Sequence, residues 1–93
     1  MIQSWSSKDV EAVFKGRNPK GFPPDLVRRV RRVLAQLNAA ISPDDMSAPP
    51  GNRLHQLTGD RWPEWSVSVN DQFRVTFVWG PDGPEHVWFG DYH

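Results

Sequence analysis

Apolar residues between Leu26 and Ile41 recur at helical spacing. Leu26, Val27, Val30, Val33, Leu34, Leu37 and Ile41 form one stripe, while Arg28, Arg29, Arg31, Arg32 and Gln36 fall elsewhere. That pattern predicts an amphipathic helix over DLVRRVRRVLAQLNAAI, long enough to lie across a sheet. A shorter stripe, Val10, Val13 and Phe14, predicts a first helix within SSKDVEAVFKG. Ser6 is placed to cap it with Asp9 three residues later, and Gly16 is placed to stop it.

Beyond residue 50 the period changes from helical to alternating. In WSVSVN (65–70), Trp65, Val67 and Val69 share one face and Ser66, Ser68 and Asn70 the other. In FRVTFVW (73–79), Phe73, Val75, Phe77 and Trp79 oppose Arg74, Thr76 and Val78. Both read as half-buried strands. RLHQL (53–57) and EHVWF (85–89) read as further strands, and Ile2, Ser4 and Trp5 as a short opening one. The prolines punctuate: PPG forces a turn at 49–51 and GPDGP another at 80–84. Helices followed by a meander predict an α+β fold, with two N-terminal helices packed on one face of a mostly antiparallel sheet. The 93 residues suit a single domain, 1–93, with one modest core. Arg74 then belongs to the sheet face turned away from the helices, where it either meets solvent or floors a polar site.

Charge changes this picture only in its distribution. The chain is neutral overall, with 11 basic and 11 acidic residues. Residues 1–40 carry eight basic side chains (Lys8, Lys15, Arg17, Lys20, Arg28, Arg29, Arg31, Arg32) against three acidic ones, a net of +5. Residues 41–93 carry Arg53, Arg61 and Arg74 against eight acidic residues, a net of −5. The arginine-rich helix is either a solvated face or an attractor for nucleic acid or an acidic partner. Without cysteine, disulfides and thiolate metal sites are excluded. No signal-type or membrane-spanning apolar run appears, so the expected location is cytoplasmic.

Glycine-rich phosphate loops, a serine nucleophile elbow and His-x-x-x-His spacing are all missing, which disfavours hydrolases of those types and a bound metal. What remains is His55, Arg74, Asp91, Tyr92 and His93. Such a set suits RNA cleavage, because the ribose 2′-OH is a built-in nucleophile. It needs a base for its proton, a cation for the phosphate charge and an acid for the leaving 5′-oxygen. Arginine's planar fork holds two phosphate oxygens, and tyrosine stacks on a base or donates a hydrogen bond.

The run PPGNRLHQLTGDR, then WSVSVNDQFRVTF and the final DYH, resembles the HigB/Killer-protein branch of the RelE-type toxins of type II toxin–antitoxin systems. The likeness extends over the opening I-x-S-W and both helices and is densest over 49–93. It implies a compact RelE-like fold and a toxin that cuts mRNA in the ribosomal A site, inhibiting translation without a metal or other cofactor. It also implies a cognate helix-turn-helix antitoxin of HigA type, a hetero-oligomeric complex, and operator DNA bound through that antitoxin. Carried over by motif, the L-H-x-L histidine is His55, the strand arginine of N-x-Q-[WF]-R is Arg74, and D-Y-H is Asp91, Tyr92 and His93. Arg53, Arg61 and Asn70 are expected to contact RNA.

Either His55 or His93 takes the 2′-OH proton on this reading, and the other imidazole or Asp91 assists the leaving oxygen. Two positions depart from the family pattern. Thr58 stands where L-K-G-D-R relatives carry lysine, and Pro63 and Glu64 replace a glycine-rich turn. A rival reading follows: a catalytically weak or inactive toxin-fold protein retained as antitoxin partner and transcriptional co-repressor. Nucleic-acid binding through the arginine-rich helix is a third.

Overall fold

The computed structural model describes residues 1–92; the expectations that rest on His93 lie outside them. Two helices, α1 (Lys8–Phe14) and α2 (Val27–Ala39), precede four strands, β1 (His55–Gln56), β2 (Trp65–Ser68), β3 (Arg74–Gly80) and β4 (Gly83–Gly90). The strands form one antiparallel sheet in the order β1-β2-β3-β4. The opening segment adds a single parallel bridge, Trp5 to Val87, flanked by Gln3 N–H to the Pro84 carbonyl at 2.7 Å and Ser6 N–H to the Val87 carbonyl at 2.8 Å. The expected α+β fold, with a mostly antiparallel sheet, is therefore present. Among the described residues no helix is long and apolar enough to cross a membrane.

The helices cover one sheet face. Val10 and Val13 of α1 meet Val30, Val33, Leu34 and Leu37 of α2, and all pack on Val67, Val75, Phe77 and Val87. Those ten side chains are essentially inaccessible. At about 25 cal/mol per Å² of apolar surface removed from water, this layer is the main favourable term in folding. Phe22 and Phe73 stack on Phe89 with centroids 4.6 and 5.1 Å away, closing one end of the core.

Three local expectations are corrected. Ser7 rather than Ser6 precedes α1, and its side chain makes no capping bond. Pro24–Leu26 form a 3-10 turn ahead of α2. The helix ends at Ala39 because Ala40 turns extended (φ −69°, ψ 143°), so Ile41 leaves the stripe and is 87% exposed. In β4 the register slips between Thr76 and Val78: Thr76 pairs with Trp88 but Val78 with Glu85. His86 sits in this irregularity with φ +53°, donating its N–H to Ser4 Oγ at 2.8 Å. Past the slip ordinary alternation puts Val87 and Phe89 toward the core and Trp88 away from it.

Candidate functional site

The second sheet face carries two of the residues singled out for chemistry, His55 and Arg74. Cα pairing aligns His55, Ser66, Thr76 and Trp88 in one row across all four strands. The adjacent row holds Ser68, Arg74 and Gly90. Facing residues in antiparallel strands have Cβ atoms about 5 Å apart, so each row is a line of neighbours. Alternation alone leaves this face open to solvent. In the fold Ser66 and Thr76 are fully buried. They lie beneath a layer that the sequence reading did not anticipate, built from Arg61, Glu64, Trp88 and Tyr92.

Arg61 is the hub of that layer. The loop between β1 and β2 turns back through a 3-10 turn, Gly59–Arg61, closed by Glu64 N–H to the Arg61 carbonyl at 2.8 Å and Leu57 N–H to the Glu64 carbonyl at 2.8 Å. The Arg61 guanidinium pairs with Glu64, Nε lying 3.0 Å from Oε2 and Nη2 donating to Oε1 at 3.1 Å. Nη2 also reaches Thr76 Oγ1 at 3.4 Å, and that hydroxyl donates to Glu64 Oε1 at 3.0 Å. The guanidinium carbon lies 4.8 Å from the Trp88 ring centroid and 5.0 Å from that of Tyr92. The two rings meet edge to face, with centroids 6.5 Å apart and planes at 86°.

The chain beyond β4 returns over this face. Tyr92 places its hydroxyl 3.0 Å from Ser66 Oγ, and Ser66 is the strand partner of His55. His55 is exposed, its Nδ1 3.0 Å from the Arg53 carbonyl. A carbonyl can only accept, so that bond requires the proton on Nδ1 and leaves the lone pair of a neutral ring on Nε2. Arg53 itself is exposed and left-handed (φ +48°). One row along, Arg74 Nη1 donates to the Asn70 and Phe73 carbonyls at 2.6 and 3.0 Å. Asn70 Oδ1 accepts from the N–H groups of Gln72 and Phe73 at 2.8 and 2.7 Å, which shapes the β2–β3 turn. Asp91 follows Gly90, the partner of Arg74, and accepts from Gln72 Nε2 at 3.3 Å.

Two neighbourhoods result: Tyr92 beside the Arg61 hub and on Ser66, the strand partner of His55, and Arg74, Asn70, Gln72 and Asp91 about the β2–β3 turn and the end of β4. Among the described residues, no three His, Asp or Glu side chains gather as a metal site requires. Three of the expected RNA contacts have structural duties as well: Arg61 is paired, Asn70 shapes a turn, and the Arg53 carbonyl holds His55. Glu64, Thr76, Ser66 and Trp88 were missed. For Trp88 the signal was its parity opposite Val87 and Phe89; Glu64, three residues after Arg61, carried none until the turn between them was known.

A family model described as the RelE-like toxin of the type II toxin–antitoxin system HigB matches residues 3–93. The chain belongs to the HigB-like toxin family. Over 58 residues it is 37% identical to Toxin HigB-1 of Vibrio cholerae serotype O1, an alignment that covers 62% of this chain and 61% of that protein. Over 93 residues it is 28% identical to Endoribonuclease HigB of Proteus vulgaris, covering 100% of both chains. The HigB-like match reaches from the opening segment through DYH, so the whole second sheet face lies within it. A type II toxin is one half of a toxin–antitoxin pair, which makes a cognate antitoxin its partner.

Proposed function

We propose that this HigB-like chain is an endoribonuclease that cuts mRNA in the ribosomal A site, in the cytoplasm, without a metal ion. Its partner is a helix-turn-helix antitoxin of HigA type, and the hetero-oligomer binds operator DNA through that antitoxin. The observation that carries this reading is the approach of Tyr92 to Ser66 at 3.0 Å, opposite His55, with Arg74 one row away. Full-length similarity to a protein named Endoribonuclease HigB supports the same chemistry.

In this mechanism His55 Nε2 or His93 removes the 2′-OH proton. The 2′-oxygen attacks the adjacent phosphorus, and the bond from phosphorus to the 5′-oxygen breaks. The other imidazole or Asp91 delivers a proton to that leaving oxygen. The products are a 2′,3′-cyclic phosphate and a 5′-hydroxyl. Arg74 swings from the β2–β3 turn to meet the charge that builds on the phosphoryl oxygens. Tyr92 orients the nucleotide by stacking or hydrogen bonding.

The test is to incubate purified protein with programmed ribosomes and with the same mRNA alone. A chelator selective for transition ions is added while the magnesium that ribosomes need is kept. Cleavage only on ribosomes and resistant to the chelator is expected. Cutting of bare mRNA at the same rate would remove the ribosome from the reading. Thr58 in place of lysine and the pairing of Arg61 with Glu64 favour one alternative, a weak or inactive toxin acting as co-repressor. Folded protein that cuts neither substrate yet binds antitoxin would support it.

A further inference from the structure

We infer that Arg61, held by Glu64, is a positioning residue that clamps Tyr92 over the sheet, rather than a direct contact to RNA phosphate. The inference rests on the endoribonuclease reading and deepens it by assigning the β1–β2 loop a role in the site. The guanidinium is engaged on three sides: the Glu64 carboxylate at 3.0 and 3.1 Å, the Thr76 hydroxyl at 3.4 Å, and the rings of Trp88 and Tyr92 at 4.8 and 5.0 Å. The Arg61 side chain is 36% exposed and Glu64 21%. A phosphate approaching this guanidinium would meet the charge of a carboxylate already bonded to Nη2.

The geometry also explains why arginine is suited to this position. A planar guanidinium can lie against two aromatic rings while its edge forks toward a carboxylate; an ammonium cannot do both. Glu64 cancels the charge and fixes the rotation of the fork. Thr76 ties both partners to the central strand, because its hydroxyl donates to Glu64 and accepts from Arg61. Trp88 and Gly90 complete the clamp: a Cβ added at Gly90 would run into the Trp88 ring. Tyr92 is thereby held with its hydroxyl on Ser66. Ordering a group in the productive geometry raises turnover more than substrate affinity.

Single-turnover cleavage on programmed ribosomes is compared for wild type, Arg61→Gln, Arg61→Lys, Tyr92→Phe and the Arg61→Gln/Tyr92→Phe double variant. Tyr92 is the single tyrosine of the chain, so selective ring labelling gives one set of NMR signals to follow in parallel. Arg61→Gln is expected to lower the maximal single-turnover rate about 10- to 100-fold with the half-saturating protein concentration within about twofold, and Arg61→Lys to behave alike. In the Tyr92→Phe background Arg61→Gln should cost little more, since both act through one ring position. The Tyr92 ring signals should shift in Arg61→Gln. Near-wild-type turnover in Arg61→Lys, full additivity with Tyr92→Phe, or unmoved ring signals would overturn the clamp. If Arg61→Gln fails to fold, Glu64→Gln replaces it, with the same expected and contrary results. If wild type does not cut RNA, the functional reading fails, and the ring signals alone still decide whether Arg61 holds Tyr92.

Discussion

The hydroxyl of Tyr92 and the Oγ of Ser66 lie 3.0 Å apart, joining residues 26 positions distant in the chain. Ser66 of β2 faces His55 across the β1–β2 ladder, so this one contact brings Tyr92 to the strand next to the one that bears the exposed imidazole. Removing the phenol hydroxyl should therefore separate activity from folding. Tyr92→Phe is expected to keep the melting temperature within a few degrees, since a neutral hydrogen bond is worth about 1 kcal/mol. Cleavage should fall by about 10²-fold. Wild-type cleavage by Tyr92→Phe would leave stacking as the only role for the ring.

Arg74 is held at rest by two backbone carbonyls, those of Asn70 and Phe73. A residue that leaves these bonds to meet a phosphate should be sensitive to shape as well as charge. Arg74→Lys should reduce cleavage about 10-fold or more and Arg74→Ala about 10²–10³-fold, with substrate binding less affected than turnover. Single-turnover rates measured beside denaturant midpoints separate this from lost folding. Equal loss of stability and activity in both variants would make Arg74 a turn brace only.

Asn52, in the PPGN run, is buried and donates from Nδ2 to the Met46 and Ala48 carbonyls at 3.0 and 3.1 Å and to Gln36 Oε1 at 3.3 Å. It pins the connector to α2 three residues before His55. Asn52→Ala should cost about 1–3 kcal/mol, because it leaves the buried Met46 carbonyl without this donor. Urea denaturation with an unchanged slope and a lower midpoint is the expected readout. An unchanged midpoint would contradict the structural role.

The arginines of α2 divide into two kinds. Arg31 donates to the Val13 and Arg17 carbonyls, both at 3.0 Å, and Arg29 to the Val69 carbonyl at 2.8 Å. Arg28 and Arg32 are exposed. Arg31→Ala should lower stability by about 1–2 kcal/mol through the freed end of α1. Arg28→Glu/Arg32→Glu should leave the melting temperature within a few degrees yet weaken ribosome association and flatten its salt dependence. If antitoxin affinity falls instead, that face belongs to the antitoxin.

Much of this fold was legible because each periodicity had one partner to satisfy. Val67, Val75, Phe77 and the α2 stripe from Leu26 to Leu37 sit where alternation and helical spacing put them. Ile41 fits the stripe but not the fold, because nothing in the pattern records that the backbone turns extended at Ala40. The second face was the hardest to read. Ser66 and Thr76 look like solvent-facing positions, and their burial depends on Trp88, Tyr92 and the Arg61 loop, all remote in sequence from one or the other. His55, Arg74, Asp91 and Tyr92 are candidates from their chemistry and from the family pattern, and the structure links two of them, His55 and Tyr92, through Ser66. The Arg61–Glu64 pair was not legible, since an i,i+3 spacing is informative only once the local turn is known.

The chemistry itself is best tested with an mRNA carrying a single 2′-deoxyribose immediately upstream of the scissile phosphate, placed in the A site of programmed ribosomes. The protein should cut the all-ribose message, leaving a 5′-hydroxyl on the downstream fragment, and should leave the deoxy message intact. Cleavage of the deoxy message at a similar rate, or a 5′-phosphate on the product, would show that the nucleophile is not the ribose hydroxyl. The roles given to His55, Arg74, Asp91 and Tyr92 would then not hold.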